Sequence, residues 1–163
     1  MLTSHPLTSE RISASRDDWK SKVGEEVFIL DYERFFDQVL PHYMDSFHAV
    51  CPDGELVAHA FVEIVSRHGA RKTKLMNVTV HPDFLPLDSL SNHDDLVKLY
   101  FSAIRATFEL ADTHVTSEVK IYGRSDHLLK ILTITSGLLD SDPLENYNHV
   151  IQGRWLTFFP KTR

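Results

Sequence analysis

The chain has 163 residues, 42% hydrophobic and 25% charged, with a formal net charge of −6. This length and composition suit one globular domain with a sizeable core and exclude disordered, collagen-like and low-complexity classes. The acidic balance speaks against a nucleic-acid binder, no apolar run reaches the ~18 residues of a membrane span, and a lone Cys51 excludes an intrachain disulfide.

The first sixteen residues lack the apolar stretch of a secretory signal, so the expected location is cytoplasmic, or an intracellularly assembled virion. Leu2–Arg16, rich in Ser and Thr, reads as a tail or a short edge strand, and Glu25–Leu30 as a brief apolar run leading into a helix. From Asp31 the period is helical, because Phe35, Val39 and Tyr43 recur every four residues beside Phe36, Leu40 and Met44. Pro41 inside this stripe removes a backbone donor and crowds the preceding turn, which predicts a break or kink near Leu40.

A strand-rich middle follows. His48–Cys51 ends at Pro52-Asp53-Gly54, a composition suited to a tight turn. Leu56–Ser66 is apolar on both faces, as a covered central strand requires, and Lys74–His81 alternates with Met76, Val78 and Val80 on one side. Together they predict an antiparallel meander of three strands. Ser91–Asp94 has capping-box spacing and opens a helix running to about Ala111, with Leu96, Leu99, Tyr100, Ala103, Ile104 and Phe108 inward. Ser117–Tyr122 is a strand. Ser125 caps a second helix that buries Leu128, Leu129, Leu132 and Ile134 and ends near Gly137. His149–Phe159 forms two short strands around Gln152-Gly153. The fold class that results is α/β (α+β), one domain over residues 1–163 with a single mixed central sheet and helices on both faces.

This order of elements resembles the GNAT acyltransferase superfamily over roughly residues 26–159. Met76–Phe84 is similar to the fourth strand of that family and its Val-x-Pro-x-Tyr/Phe continuation. Ser125–Leu138 is similar to its last helix, with Asp126, Leu132, Gly137 and Leu138 at the positions of Asn, Leu, Gly and Phe. The resemblance implies an acyl-CoA N-acyltransferase-like fold. Two departures bear on activity. The family's Gly-rich pyrophosphate loop, whose glycines let backbone N–H groups approach the anion, is matched here by residues 85–95, which contain no glycine and carry Asp88, Asp94 and Asp95. Negative side chains at a helix N-terminus satisfy its dipole and repel a further anion. The tyrosine that protonates the leaving thiolate in the family is matched by Thr133, whose hydroxyl is a poor acid.

The leading expectation is therefore a GNAT-like fold serving as a non-catalytic binding or structural module, virion-associated in one version, with no cofactor. Its partner would be a protein or a second copy, with no nucleic acid and no membrane. The alternative is a divergent acetyl-CoA-dependent N-acyltransferase. It would hold pantetheine on the backbone of Val78, Thr79 and Val80, with Glu63 or a water accepting the amine proton and Tyr122 supplying the acid. A small-ligand binding domain is the third reading. The ten histidines show no His-x-x-x-His or His-x-His spacing, so no metal site is expected. Arg67, His68, Arg71, Lys72 and Lys74 form the chain's basic cluster, read as a solvated turn with a contact to an acidic partner as its functional version.

Overall fold

The computed structural model describes residues 1–86, 93–141 and 144–161. The strands are β1 (Leu2–Pro6), β2 (Phe47–Pro52), β3 (Ala60–Val65), β4 (Lys72–Val80), β5 (Glu118–Tyr122), β6 (Tyr147–Gln152) and β7 (Trp155–Pro160). The helices are α1 (Ser9–Val23), α2 (Glu25–Asp31), α3 (Leu40–His42), α4 (His93–Thr113) and α5 (Asp126–Ser141). The sheet runs β1-β2-β3-β4-β5-β7-β6. It is mixed, since β4 and β5 pair in parallel while β1–β2, β2–β3, β5–β7 and β6–β7 are antiparallel. The chain divides into two compact units, Met1–Glu63 with Val78–Ser102, and Ile64–Asn77 with Ala103–Arg163.

In the first unit the core is aromatic. Trp19 is fully buried and meets the rings of Tyr32, Phe36, Phe61 and His81 at centroid distances of 5.2–5.6 Å. These are largely edge-to-face contacts, the geometry that ring quadrupoles favour. Trp19 sits on α1, which corrects the reading of Leu2–Arg16 as tail or edge strand. Only Leu2–Pro6 is the edge strand, paired with Leu2 opposite Pro52 and Pro6 opposite His48. From Ser9 the chain is helical, capped by the Thr8 hydroxyl, which accepts the Arg11 N–H at 3.2 Å. Ile12, Ser15 and Trp19 make its buried stripe. Gly24, at φ 83°, ends α1 and starts α2, so Glu25–Leu30 is itself helix rather than a run leading into one. Phe28 alone of α2 is buried.

Pro41 acts as expected, by a specific route. Phe35–Val39 is a π-helical turn in which the Leu40 N–H bonds the Phe35 carbonyl, and Pro41 then enters the first turn of α3. The wide turn absorbs the donor that proline lacks.

The expected strand Leu56–Ser66 begins only at Ala60. The physical reason lies on α1. The Ala58 N–H bonds Ser15 Oγ at 2.9 Å, and Trp19 Nε1–H donates to the Ala58 carbonyl at 3.0 Å. Two helix side chains thus satisfy backbone groups that a ladder would otherwise use.

In the second unit the strands alternate cleanly. Val119 and Ile121 of β5 are buried opposite Phe158 and Leu156 of β7, while Lys120, Tyr122, Trp155 and Thr157 stand half-buried on the other face. Phe108 of α4 packs edge-on against Phe158 at 5.0 Å and Tyr147 at 5.5 Å. Ser125 caps α5 as read, its Oγ accepting the Leu128 N–H at 3.1 Å. The helix however continues through Gly137 to Ser141, and Ile134 is exposed rather than inward. The β6–β7 turn falls at Gly153, φ 59°, where the left-handed region favours glycine. The expected capping residues Ser91 and Asn92 lie outside the described residues.

Candidate functional site

The C-terminal half of β4 is where the sequence placed the chemistry. The parallel β4–β5 ladder runs from Lys72 opposite Glu118 to Leu75 opposite Ile121, and ends there, five residues before β4 does. Buried and half-buried residues also cease to alternate. Thr73 and Leu75 are buried, Met76–Thr79 are all half-buried, and Val80 is buried. The expected alternation of Met76, Val78 and Val80 against their neighbours is therefore not kept.

Val78, Thr79 and Val80 lie in the first unit together with Glu63. Glu63 is half-buried on β3, opposite Phe47 of β2, and makes no hydrogen bond or ion pair among the described residues. Tyr122 belongs to the second unit, on β5, with its ring 4.8 Å from that of Trp155. Thr133 is exposed on α5, and its hydroxyl donates to the Leu129 carbonyl at 2.8 Å. A hydroxyl proton committed to its own helix has no acid to offer.

The first turn of α4 carries His93, Asp94 and Asp95. The Asp94 side chain is 95% exposed and lies 3.6 Å from His93 Nδ1, and Asp95 pairs with Lys98 at 3.2 Å. Both carboxylates sit at the helix end whose dipole would otherwise attract an anion. Asp88 is outside the described residues. Among the described residues this helix end thus presents two carboxylates, the His93 imidazole beside Asp94, and Lys98, which Asp95 already engages.

Sequence reasoning missed a buried polar group at the end of β4. His81 Nε2 lies 2.7 Å from Asp18 Oδ2, and its Nδ1 accepts the Asp83 N–H at 3.0 Å. With Nδ1 an acceptor, the network assigns the proton to Nε2, which donates to Asp18. The His81 N–H in turn bonds the His59 carbonyl at 2.8 Å. The His59 ring is 5.4 Å from that of Phe84, and burial, with a smaller contribution from His81, lowers its pKa below the ordinary imidazole value. The signal was available in the Ile12, Ser15, Trp19 spacing of i, i+3, i+7, which places Asp18 beside Trp19 on a helix. Among the described residues no group of three or more His, Cys, Asp or Glu side chains is arranged to hold a metal ion. Cys51 is buried, and its thiol pKa is raised, chiefly by that burial.

The second unit contains an open cavity of about 330 Å³ at the β3–β4 turn, lined by Val65, Ser66, Arg67, Ala70, Arg71, Lys72 and Lys74. Arg71 and Lys72 reach Glu118 at 2.7 and 3.8 Å. Arg67 and Lys74 make no ion pair among the described residues.

Comparison with known proteins bears on the fold alone. No family model matches the sequence, and no curated protein does. Among solved structures the chain is similar to an aminoglycoside 6'-acetyltransferase of type Ii, at 11% identity and a TM-score of 0.52 over 98% of both chains. It is also similar to a chain described as a probable acetyltransferase from Staphylococcus epidermidis, at 11% identity and a TM-score of 0.50 over 99% of this chain and 100% of that one. A GNAT-family acetyltransferase from Bacillus anthracis matches at 9% identity and a TM-score of 0.47 over 97% and 92%. The fold is the one seen in acetyltransferase structures. No helix of the described residues is long and apolar enough to cross a membrane.

Proposed function

We propose that this chain uses a GNAT fold as a non-catalytic binding or structural module, with no functioning coenzyme A site. The observation that carries the reading is the exposed Asp94–Asp95 pair in the first turn of α4. A diphosphate brought to a helix N-terminus gains from the dipole and from backbone N–H groups. Two carboxylates on the same turn take up that gain and add repulsion. Thr133 supports the reading from a second element, because it supplies no acid for a leaving thiolate. A structural or virion-associated role with a protein partner is consistent with a fold kept for its surfaces.

Thermal unfolding of the full chain with and without millimolar acetyl-CoA tests it. A ligand at ~100 times its dissociation constant adds about 2.7 kcal/mol to stability, a readily measured rise in Tm. The module reading expects no rise, and a clear rise defeats it.

One observation favours a second reading, a divergent N-acyltransferase. The parallel ladder stops at Leu75–Ile121, and backbone recognition on Val78, Thr79 and Val80 would need no particular side chains. In that case Glu63, or a water, takes the amine proton. Acetyl transfer to an amine, seen as a mass increase and lost in Glu63→Gln, would support it.

A further inference from the structure

The net charge of −6 conceals two opposite halves. The first unit holds six Lys and Arg against sixteen Asp and Glu, a formal −10, and the second holds eleven against seven, a formal +4. Each half also presents an unsatisfied surface of its own sign.

On the first unit that surface is α2. Leu30 is 81% exposed, with Val27 and Ile29 also exposed, and among the α2 residues only Phe28 turns inward. Glu25, Glu26, Asp31 and Glu33 surround these apolar side chains. Of the four, among the described residues Glu25 alone has an ion-pair partner, Lys20 at 3.0 Å. A helix this short has little intrinsic stability, so an apolar outer face on it is a contact surface rather than a helix-forming device.

On the second unit it is the β3–β4 cavity. Its apolar wall is Val65, itself exposed, with Ala70, and its rim is cationic. Among the described residues Arg67 and Lys74 have no ion-pair partner, and Lys74 stands directly opposite Lys120 across the parallel ladder. Like charges so placed weaken the sheet unless an anion lies between them. The cavity is of a size to take one or two aliphatic side chains, and the rim matches carboxylates on either side of them.

We infer that α2 of one copy docks into the β3–β4 cavity of a second copy, with Leu30 entering it and Glu26, Asp31 and Glu33 meeting Arg67 and Lys74. The knob and the socket are different patches, so one copy's knob meets the other's socket, either reciprocally in a closed pair or head to tail. An isologous pairing of two sockets would set Arg67 and Lys74 against their own kind. The inference deepens the module reading by naming its partner, and the two fail separately, since association and acetyl-CoA binding are read in different assays.

Sedimentation velocity of the full chain from about 5 to about 200 µM is the test, a range that brackets micromolar dissociation constants. The average mass should rise with concentration and fall back as salt increases from ~0.05 to ~0.5 M, where exposed charges are screened. Leu30→Asp alone and Arg67→Glu/Lys74→Glu alone should each be monomeric. Mixed, they should form a one-to-one complex, because one variant keeps its socket and the other its knob. Circular dichroism melts check that both fold, and if the double reversal does not, Arg67→Gln/Lys74→Gln should still associate at least several-fold more weakly. A wild-type chain that stays monomeric throughout overturns the inference. So does undiminished association of Leu30→Asp, which would point to paired sockets. A mixture that stays apart, or displacement of the self-contact by a single-stranded oligonucleotide that binds the socket more tightly, does the same.

Discussion

Ser15 sits inside a helix with its hydroxyl aimed at another segment's backbone, accepting the buried Ala58 N–H at 2.9 Å. Replacing it by alanine leaves that donor unpaired, and a buried unpaired donor costs about 1–3 kcal/mol. Urea unfolding of Ser15→Ala should therefore show a lower midpoint with an unchanged slope, and a loss below ~0.5 kcal/mol would contradict this. His59 makes a prediction about pH. Its pKa lies below the ordinary 6.5, through burial first and His81 second, against smaller opposing effects of Glu55, Asp18 and Asp83. The unfolded chain consequently takes up this proton at a higher pH than the folded one, so stability is complete above about 6.5 and declines as pH falls through that value. His5, lowered by burial and by Arg11, acts in the same direction. The drop in Tm between pH 7.5 and pH 5.5 should be smaller in His59→Asn than in wild type, and an equal or larger drop would refute the assignment. Little of this was legible in the sequence. His59 and His81 were weighed there only for metal-ligand spacing, because what packs on His81 is Trp19, on a helix that the Ser- and Thr-rich composition disguised. Glu63 was legible as a strand carboxylate, and its lack of a partner among the described residues was not.

At the scale of elements, two glycines in the same stretch should respond oppositely to the same change. A Cβ on Gly123, between β5 and α5, would stand 3.0 Å from Leu129 Cα and 3.1 Å from its Cβ. Gly123 is further held by its N–H to the Arg154 carbonyl and by Arg154 Nε–H to its own carbonyl, both at 2.7 Å. Gly123→Ala must push α5 outward, an overpacking cost of about 1–3 kcal/mol. Gly137 meets nothing within 4 Å and has an ordinary helical φ inside α5. Gly137→Ala should raise stability by about 0.5–1 kcal/mol, the propensity difference in a helix interior. Differential scanning calorimetry decides both, and equal signs would refute the account. The same residue explains why the end of α5 was misjudged. A glycine near a helix end suggests a left-handed cap, but only the backbone angle reveals whether it serves as one. Elements with strong periodicity were legible, as the stripe Leu96, Leu99, Tyr100 and Ala103 of α4 shows, all four being buried. The first helix and the true start of β3 were not, because both depend on a long-range contact between Ser15, Trp19 and Ala58.

For the whole molecule, the fold followed from the order of elements, while the site followed from what the expected loop lacks. The pairing of β6 with β7 follows from the terminal hairpin, whose Gly153 turn was visible as a glycine between two apolar runs, whereas the placing of β7 next to β5 was not legible there. The division of charge between the units was not visible from composition, because −10 and +4 sum to an unremarkable figure. The account's central claim is that Asp94 and Asp95 deny the α4 N-terminus to a diphosphate. Titration calorimetry of the full chain with coenzyme A at near-physiological ionic strength tests this most directly. The account predicts no binding heat and no dissociation constant tighter than about 1 mM, a free energy weaker than about −4 kcal/mol. Saturable one-to-one binding in the micromolar range would contradict it.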